Sequence, residues 1–259
     1  MTFEYPYWST PLAQQTSLVH IAVVLAILSL TAAIWLSYRD RSLWRLYVFI
    51  GSGLCVLYEP LGDVLTAVAY PPGDGEMRLF ATYGRTIPLW MLPNYFFFIS
   101  APLFLITRYL IVRFVSARTW ILTFLGIALF MALFEQPGIK SDAWRYYASN
   151  GPFAWNTYPV WVAFANAQSA LVVATAVYLL RQFILRGWLQ IGIIFLLPMI
   201  FAASHVSVSL IESAAQYSNA PPLAVNAAAV IAIAASFSNG MICWKVLQLT
   251  QRSPAKAAA

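Results

Sequence analysis

Charge is scarce in this chain. Only 9% of its 259 residues are Asp, Glu, Lys or Arg, against 61% hydrophobic, whereas a soluble domain carries roughly 25% charged residues. With a mean hydropathy of +0.72, the composition excludes an ordinary soluble domain. The length is taken up by apolar spans, so we expect one transmembrane domain over residues 1–250 and a short disordered tail over 251–259. There are two cysteines, Cys55 and Cys243, both inside apolar runs. They offer neither a disulfide framework nor a metal-ligand spacing and read as small packing residues. The two histidines, His20 and His205, are too few for a histidine-rich di-iron desaturase site. No G-x-G-x-x-G, P-loop, nucleophile elbow or H-E-x-x-H occurs, so neither cofactor nor metal is expected. The last apolar run lacks a lysine at mid-membrane depth, because Lys245 sits at its end, and this argues against a retinal Schiff base. No basic segment precedes the first apolar run, so no cleavable signal is expected.

What is present is a series of hydrophobic runs. A spanning helix needs about 20 apolar residues, and seven runs qualify, at 17–37, 43–69, 87–114, 119–136, 158–180, 188–212 and 222–247. The fourth is short by hydropathy and either passes Pro137 or stops at the interface. The fold expected is an all-α membrane protein with seven transmembrane helices. The net charge of +6 reads as loop charge beside a membrane and gives no reason to expect a nucleic-acid partner. Eleven of the 15 Lys and Arg flank the first, third and fifth connections or follow the last helix; the exceptions are Arg78, Arg85, Lys140 and Arg145. By the positive-inside rule this bias puts the N-terminus outside and the C-terminus in the cytoplasm. The outer side then owns the long loops 70–86 and 137–157. Tyr70-Pro-Pro-Gly-Asp-Gly-Glu76 reads as a turn. Trp144, Tyr146, Tyr147, Phe153, Trp155 and Tyr158 form either an interfacial aromatic belt, the reading preferred, or a lid over a cavity.

The most informative residues are the acids inside the apolar runs. A charge within a bilayer costs several kcal/mol unless it is paired or faces a wet cavity, so an intramembrane acid marks a candidate site. At 1.5 Å per residue, Glu59 and Glu135 each lie about 24 Å, and His205 about 25 Å, from the cytoplasmic end of their helices. Asn94, Asn166 and Asn226 lie in the same half, Glu212 falls at the outer rim, and the inner half carries little beyond Ser, Thr and Asn239. Glu59 and Asp63 are four apart and share a helix face; His205 and Glu212 are seven apart and share another, with Ser209 between. Paired carboxyl groups supply a general acid beside a general base, although a helix-packing ion pair, for example with Arg85, would also use them. Arg85 is expected at the start of the third helix, near Pro88. Pro60, Pro93, Pro102 and Pro198 interrupt apolar runs, and Pro60 is expected to widen the helix beside Glu59.

These residues carry a resemblance. Glu59-Pro-Leu-Gly-Asp63, Tyr70-Pro71 and Gly84-Arg-Thr-Ile-Pro-Leu-Trp90, followed by Glu135-Gln-Pro-Gly138, Tyr146-Tyr147, Gly151-Pro-Phe153, Pro159-Val-Trp161 and Asn166, resemble the spirocyclase family typified by AveC, named for spiroketal formation in avermectin-type polyketides. The resemblance covers residues 54–170 and fades afterwards. It implies a multi-pass enzyme, bacterial and in the inner membrane, acting on a hydrophobic polyketide- or terpenoid-like molecule.

The expectation is a cofactor-free membrane enzyme that cyclises, dehydrates or isomerises a lipophilic substrate by acid–base chemistry in an outer-leaflet pocket. Glu59, Asp63 and Glu135 are its candidate catalytic groups. Arg85 would balance charge, Asn94, Asn166, His205 and Glu212 would hydrogen-bond the substrate, and Trp90, Tyr95 and Trp161 would stabilise a developing cation. Two other classes stay open. A proton-coupled carrier needs polar residues leading to both faces, and a non-catalytic lipid-binding subunit of an envelope complex needs no chemistry at all. Within the enzymes, a terpene cyclase or carotenoid hydratase uses similar carboxylates.

Overall fold

The structure is a computed structural model and describes residues 7–71, 75–113, 115–147, 153–218 and 220–252. Pro72, Gly73 and Asp74 of the expected turn, Gly151 and Pro152, and the tail from Ser253, including Lys256, lie outside the described residues.

Seven helical segments are long and apolar enough to cross a membrane. The first is α1 (Leu12–Asp40), which ends where Arg41 turns left-handed at φ 47°. The second runs through α2 (Trp44–Leu54), a 3₁₀ stretch (Cys55–Tyr58) and α3 (Glu59–Thr66), and stops at Ala67, φ 52°. Then come α4 (Met91–Leu105) with a π-helical continuation (Ile106–Ile111), α5 (Ala117–Lys140), α6 (Val160–Phe183), α7 (Ile193–Tyr217) and α8 (Pro222–Arg252). Ser116 caps α5 by accepting from the Thr119 N–H at 3.2 Å, which satisfies one orphan donor of the first turn. α5 passes Pro137 and continues to Lys140.

Two expectations about the helices are corrected. The backbone does not widen at Pro60; it tightens into the 3₁₀ stretch just before Glu59. Pro60 lies in the first turn of α3, where its missing N–H is no loss. The widened turn is instead the π-helical stretch that follows Pro102. The third span also starts later than expected. Residues 85–88 are a strand, β3 (Arg85–Pro88), paired antiparallel with β2 (Arg78–Thr82). Tyr83 (φ 52°) and Gly84 (φ 69°) make the two-residue turn whose positive φ angles match strand twist.

α6 packs on α5, α7 and α8, α4 packs on α1 and α2, and α2 packs on α7. The long connections meet at one end of this bundle, where β1 (Val68–Ala69) pairs with β4 (Arg145–Tyr146). A third ribbon there joins β5 (Ala154–Trp155) to β6 (Tyr158–Pro159). The N-terminal segment closes over the same end: Trp8 donates to the Asp142 carbonyl at 2.9 Å and Gln14 to the Ser141 carbonyl at 2.6 Å. We call this the loop end.

The opposite half is less apolar than the sequence suggested. Arg45, 4% exposed, pairs with Asp40 at 3.2 Å, donates to Thr107 at 2.5 Å and lies 3.7 Å over the Trp44 ring. Nearer the middle of the bundle, two residues beyond Asn166 on α6, Gln168 is fully buried and donates to the Ser204 carbonyl at 3.3 Å.

Candidate functional site

Three carboxyl groups and a histidine from three spans line one cavity of about 90 Å³ near the loop end: Glu59 and Asp63 of α3, Glu135 of α5 and His205 of α7. Trp90, Asn94, Tyr95 and Asn166 line it too, so eight of the expected site residues meet there. The walls are aromatic. Trp90 stacks near Trp144 with ring centroids 5.4 Å apart, Tyr70 meets Trp90 edge-on at 5.7 Å, and Phe201 meets Tyr58 edge-on at 5.6 Å.

The two carboxyl groups of α3 differ in their surroundings. Glu59 accepts from the Tyr70 hydroxyl at one oxygen and from the Tyr95 hydroxyl at the other. Asp63, one turn further and 1% exposed, receives no hydrogen bond from a donor group at either oxygen, and its neighbour within hydrogen-bonding reach is the Glu59 carboxyl. A buried polar atom left unpaired costs about 1–3 kcal/mol. Tyr70 lies outside the spans; burial first, then the Glu59 carboxylate, push its hydroxyl well above the ordinary phenol range. It is therefore a lasting donor.

Glu135 is held from the second long connection. Trp144 donates its indole N–H at 2.7 Å and Tyr146 its hydroxyl at 3.3 Å. Burial, followed by Glu135, likewise raises the Tyr146 hydroxyl well above its ordinary value. Trp144 reaches Glu135 because Gly138 leaves room: a Cβ there would fall 1.8 Å from the indole ring. On α7, His205 Nδ1 lies 2.9 Å from the Tyr58 hydroxyl and 3.2 Å from Ser209 Oγ. Where Tyr58 donates, Nδ1 is the acceptor and the ring proton sits on Nε2.

Three expected site residues lie elsewhere. Arg85 is in the hairpin outside the cavity lining; it donates to the Tyr147 hydroxyl at 2.5 Å and lies 5.4 Å from that ring. It still acts on Asp63 through space. Trp161 is fully buried on another face of α6. Glu212 lies near the loop end of α7, two turns beyond His205, but is fully buried and outside the cavity lining, where it accepts from Gln216 at 2.5 Å. The preference for an aromatic belt is also corrected in part. Trp144 and Tyr146 line the cavity and Tyr158 is buried beside Tyr146 at 5.3 Å, so these three form a lid, while Phe153 and Trp155 face outward.

Several lining residues were not singled out from the sequence, among them Tyr58, Phe98, Phe134 and Phe201. Tyr58 carried a signal, since it precedes Glu59 and is a polar aromatic deep in a span. Among the described residues, no group of three or more His, Cys, Asp or Glu is placed to hold a metal ion. No family model, curated protein or solved structure matches the chain.

Proposed function

We propose that this protein is an integral membrane enzyme that cyclises, dehydrates or isomerises a lipophilic substrate by proton transfer, as the resemblance to the spirocyclase family implies. The observation that carries the reading is Asp63: a buried carboxyl group that receives no hydrogen bond from a donor and sits against the Glu59 carboxyl, on a cavity that also holds Glu135 and His205. A substrate hydroxyl or carbonyl oxygen is the partner it lacks.

Asp63 is the group that exchanges a proton with the reacting oxygen. Glu59, gripped by Tyr70 and Tyr95, holds negative charge beside it, and Glu135 faces the substrate from α5. In a dehydration, the Asp63 proton passes to the departing hydroxyl, which leaves as water. Glu135 takes the proton from the adjacent carbon as the double bond forms. In a cyclisation, the Asp63 proton activates a carbonyl oxygen while Glu135 takes the proton of the attacking hydroxyl. Positioned acid–base groups are each worth about 10²–10⁴-fold, and the aromatic walls favour a cationic intermediate. By the arginine bias, the loop end faces away from the cytoplasm, which in the bacterial inner membrane that the resemblance implies is the periplasmic side.

The experiment is mass spectrometry of lipid extracts from cells with the gene, without it, and with Asp63→Asn or Glu59→Gln. A product present only with the wild-type gene, and lost in both variants at equal protein levels, supports the reading. Undiminished product in both variants overturns it.

A further inference from the structure

The acidic cavity, at about 90 Å³, is too small to enclose a lipophilic molecule, since sites that do so hold roughly 300–1,000 Å³. Only the reacting end of a substrate fits. Toward the loop end, Tyr70, Trp90 and Trp144 close the cavity, each 8% exposed or less. Sideways, α4 and α5 do not pack closely on each other. A groove of about 580 Å³ runs along that seam, lined by Phe97, Ala101, Pro102, Leu105, Gly126 and Phe130 among others, with no charged residue.

We infer that this seam is the binding groove for the hydrocarbon tail of the substrate, which enters from the bilayer with its polar end foremost. The inference rests on the function proposed above and specifies its substrate class: a long unbranched or isoprenoid chain with an oxygen-bearing head. Continuity is the first argument. Phe98 lines both the groove and the acidic cavity. Phe134, which lines the cavity, lies 5.8 Å from Phe98 and 5.9 Å from Phe130 of the groove. Phe98 is thus the wall between tail and head.

The second argument is that the groove is built. The π-helical turn after Pro102 swells α4 along it, and such turns are frequent at functional sites. Gly126 faces it from the middle of α5, where a Cβ would meet nothing within 4 Å. A glycine inside a helix costs about 1 kcal/mol relative to alanine. Gly126 has no positive φ and no close neighbour to require it, so the space it leaves serves an occupant from outside the fold. From residue 97 to 110 the groove is about 20 Å long at 1.5 Å per residue, a length suited to a chain and not to a compact ring system.

The test uses the full chain in detergent and a long-chain primary alcohol with a diazirine near its tail end. Photolabelling is expected on residues 97–110 and 123–130 and competed by the plain alcohol. Gly126→Leu, whose Cβ meets nothing within 4 Å, should cut it by about tenfold at an unchanged or higher melting temperature. Asp63→Asn should leave tail labelling in place. Equal labelling of the outward face of α1, for example at Val24 and Leu28, with no effect of Gly126→Leu, would mean ordinary boundary lipid and overturn the inference. Groove labelling as expected, together with normal product from Asp63→Asn cells, would retain the groove and remove the proposed chemistry.

Discussion

At the scale of residues, the contrast between Glu59 and Asp63 decides the roles. Both sit on one face of α3, yet one has a donor on each oxygen and the other has none. Asp63→Asn should therefore lower product formation by about 100-fold or more, while the melting temperature stays level or rises, because the variant removes an unpaired buried acid. A large fall in melting temperature would assign Asp63 to structure. The tyrosines give a second test, with its own sign. Tyr70, Tyr146 and Tyr158 are all raised well above their ordinary values, chiefly by burial. Their stabilisation is complete below the unfolded value of about 10 and is lost as pH rises through the folded value. Melting temperature should thus fall steeply above roughly pH 10, and less steeply in Tyr70→Phe. Identical slopes would show that Tyr70 is not held protonated. Residue positions were legible where helical period and depth suffice: Glu59 and Asp63 are one turn apart, and Glu135 and His205 lie at a matching level. Trp161 was misread because it is five residues from Asn166, about 140° around the helix. Glu212 shares the His205 face but sits about 10.5 Å further along it, beyond the reach of the cavity.

At the scale of elements, the lid depends on close approaches that helical period does not reveal. Trp144 crosses the end of α5 at Gly138 and hands its N–H to Glu135. Gly138→Ala puts a methyl group inside that ring, so the indole must leave. The expected result is a loss of about 1–3 kcal/mol, typical of overpacking, and a tryptophan emission shift as the indole becomes wet. Normal stability with unchanged emission would show that the lid is not seated as described. The hairpin was hidden for a related reason. Residues 87–90 are apolar enough to join the third run, and the Tyr83–Gly84 turn is not among the strong hairpin dipeptides. Arg85 was placed by hydropathy on a helix, whereas the turn geometry puts it on a strand.

At the scale of the whole molecule, composition was enough to foresee seven long apolar helices, because each run meets the length a bilayer demands. Which side faces which compartment is a separate question, for which charge supplies the expectation. The connection after α1 and the stretch before α7 share one end, since Ser42 donates to Gln190 at 2.9 Å. Arg39, Arg41, Arg181 and Arg186 flank these two segments. With Arg45, Arg108, Arg113, Arg118, Lys245, Arg252 and Lys256 they make eleven basic residues that flank this end in the sequence, against four, Arg78, Arg85, Lys140 and Arg145, at the loop end, so translocating this end costs more. A single cysteine at Thr82, exposed beside the hairpin turn, should therefore react with a membrane-impermeant maleimide on intact bacterial spheroplasts. A cysteine at Trp188, 80% exposed at the other end, should react only after permeabilisation. The native Cys55 is buried and Cys243 half-buried, so both are replaced by alanine in the background. The reverse pattern would put the acidic cavity in the cytoplasmic half, and its substrate would then be drawn from the inner leaflet.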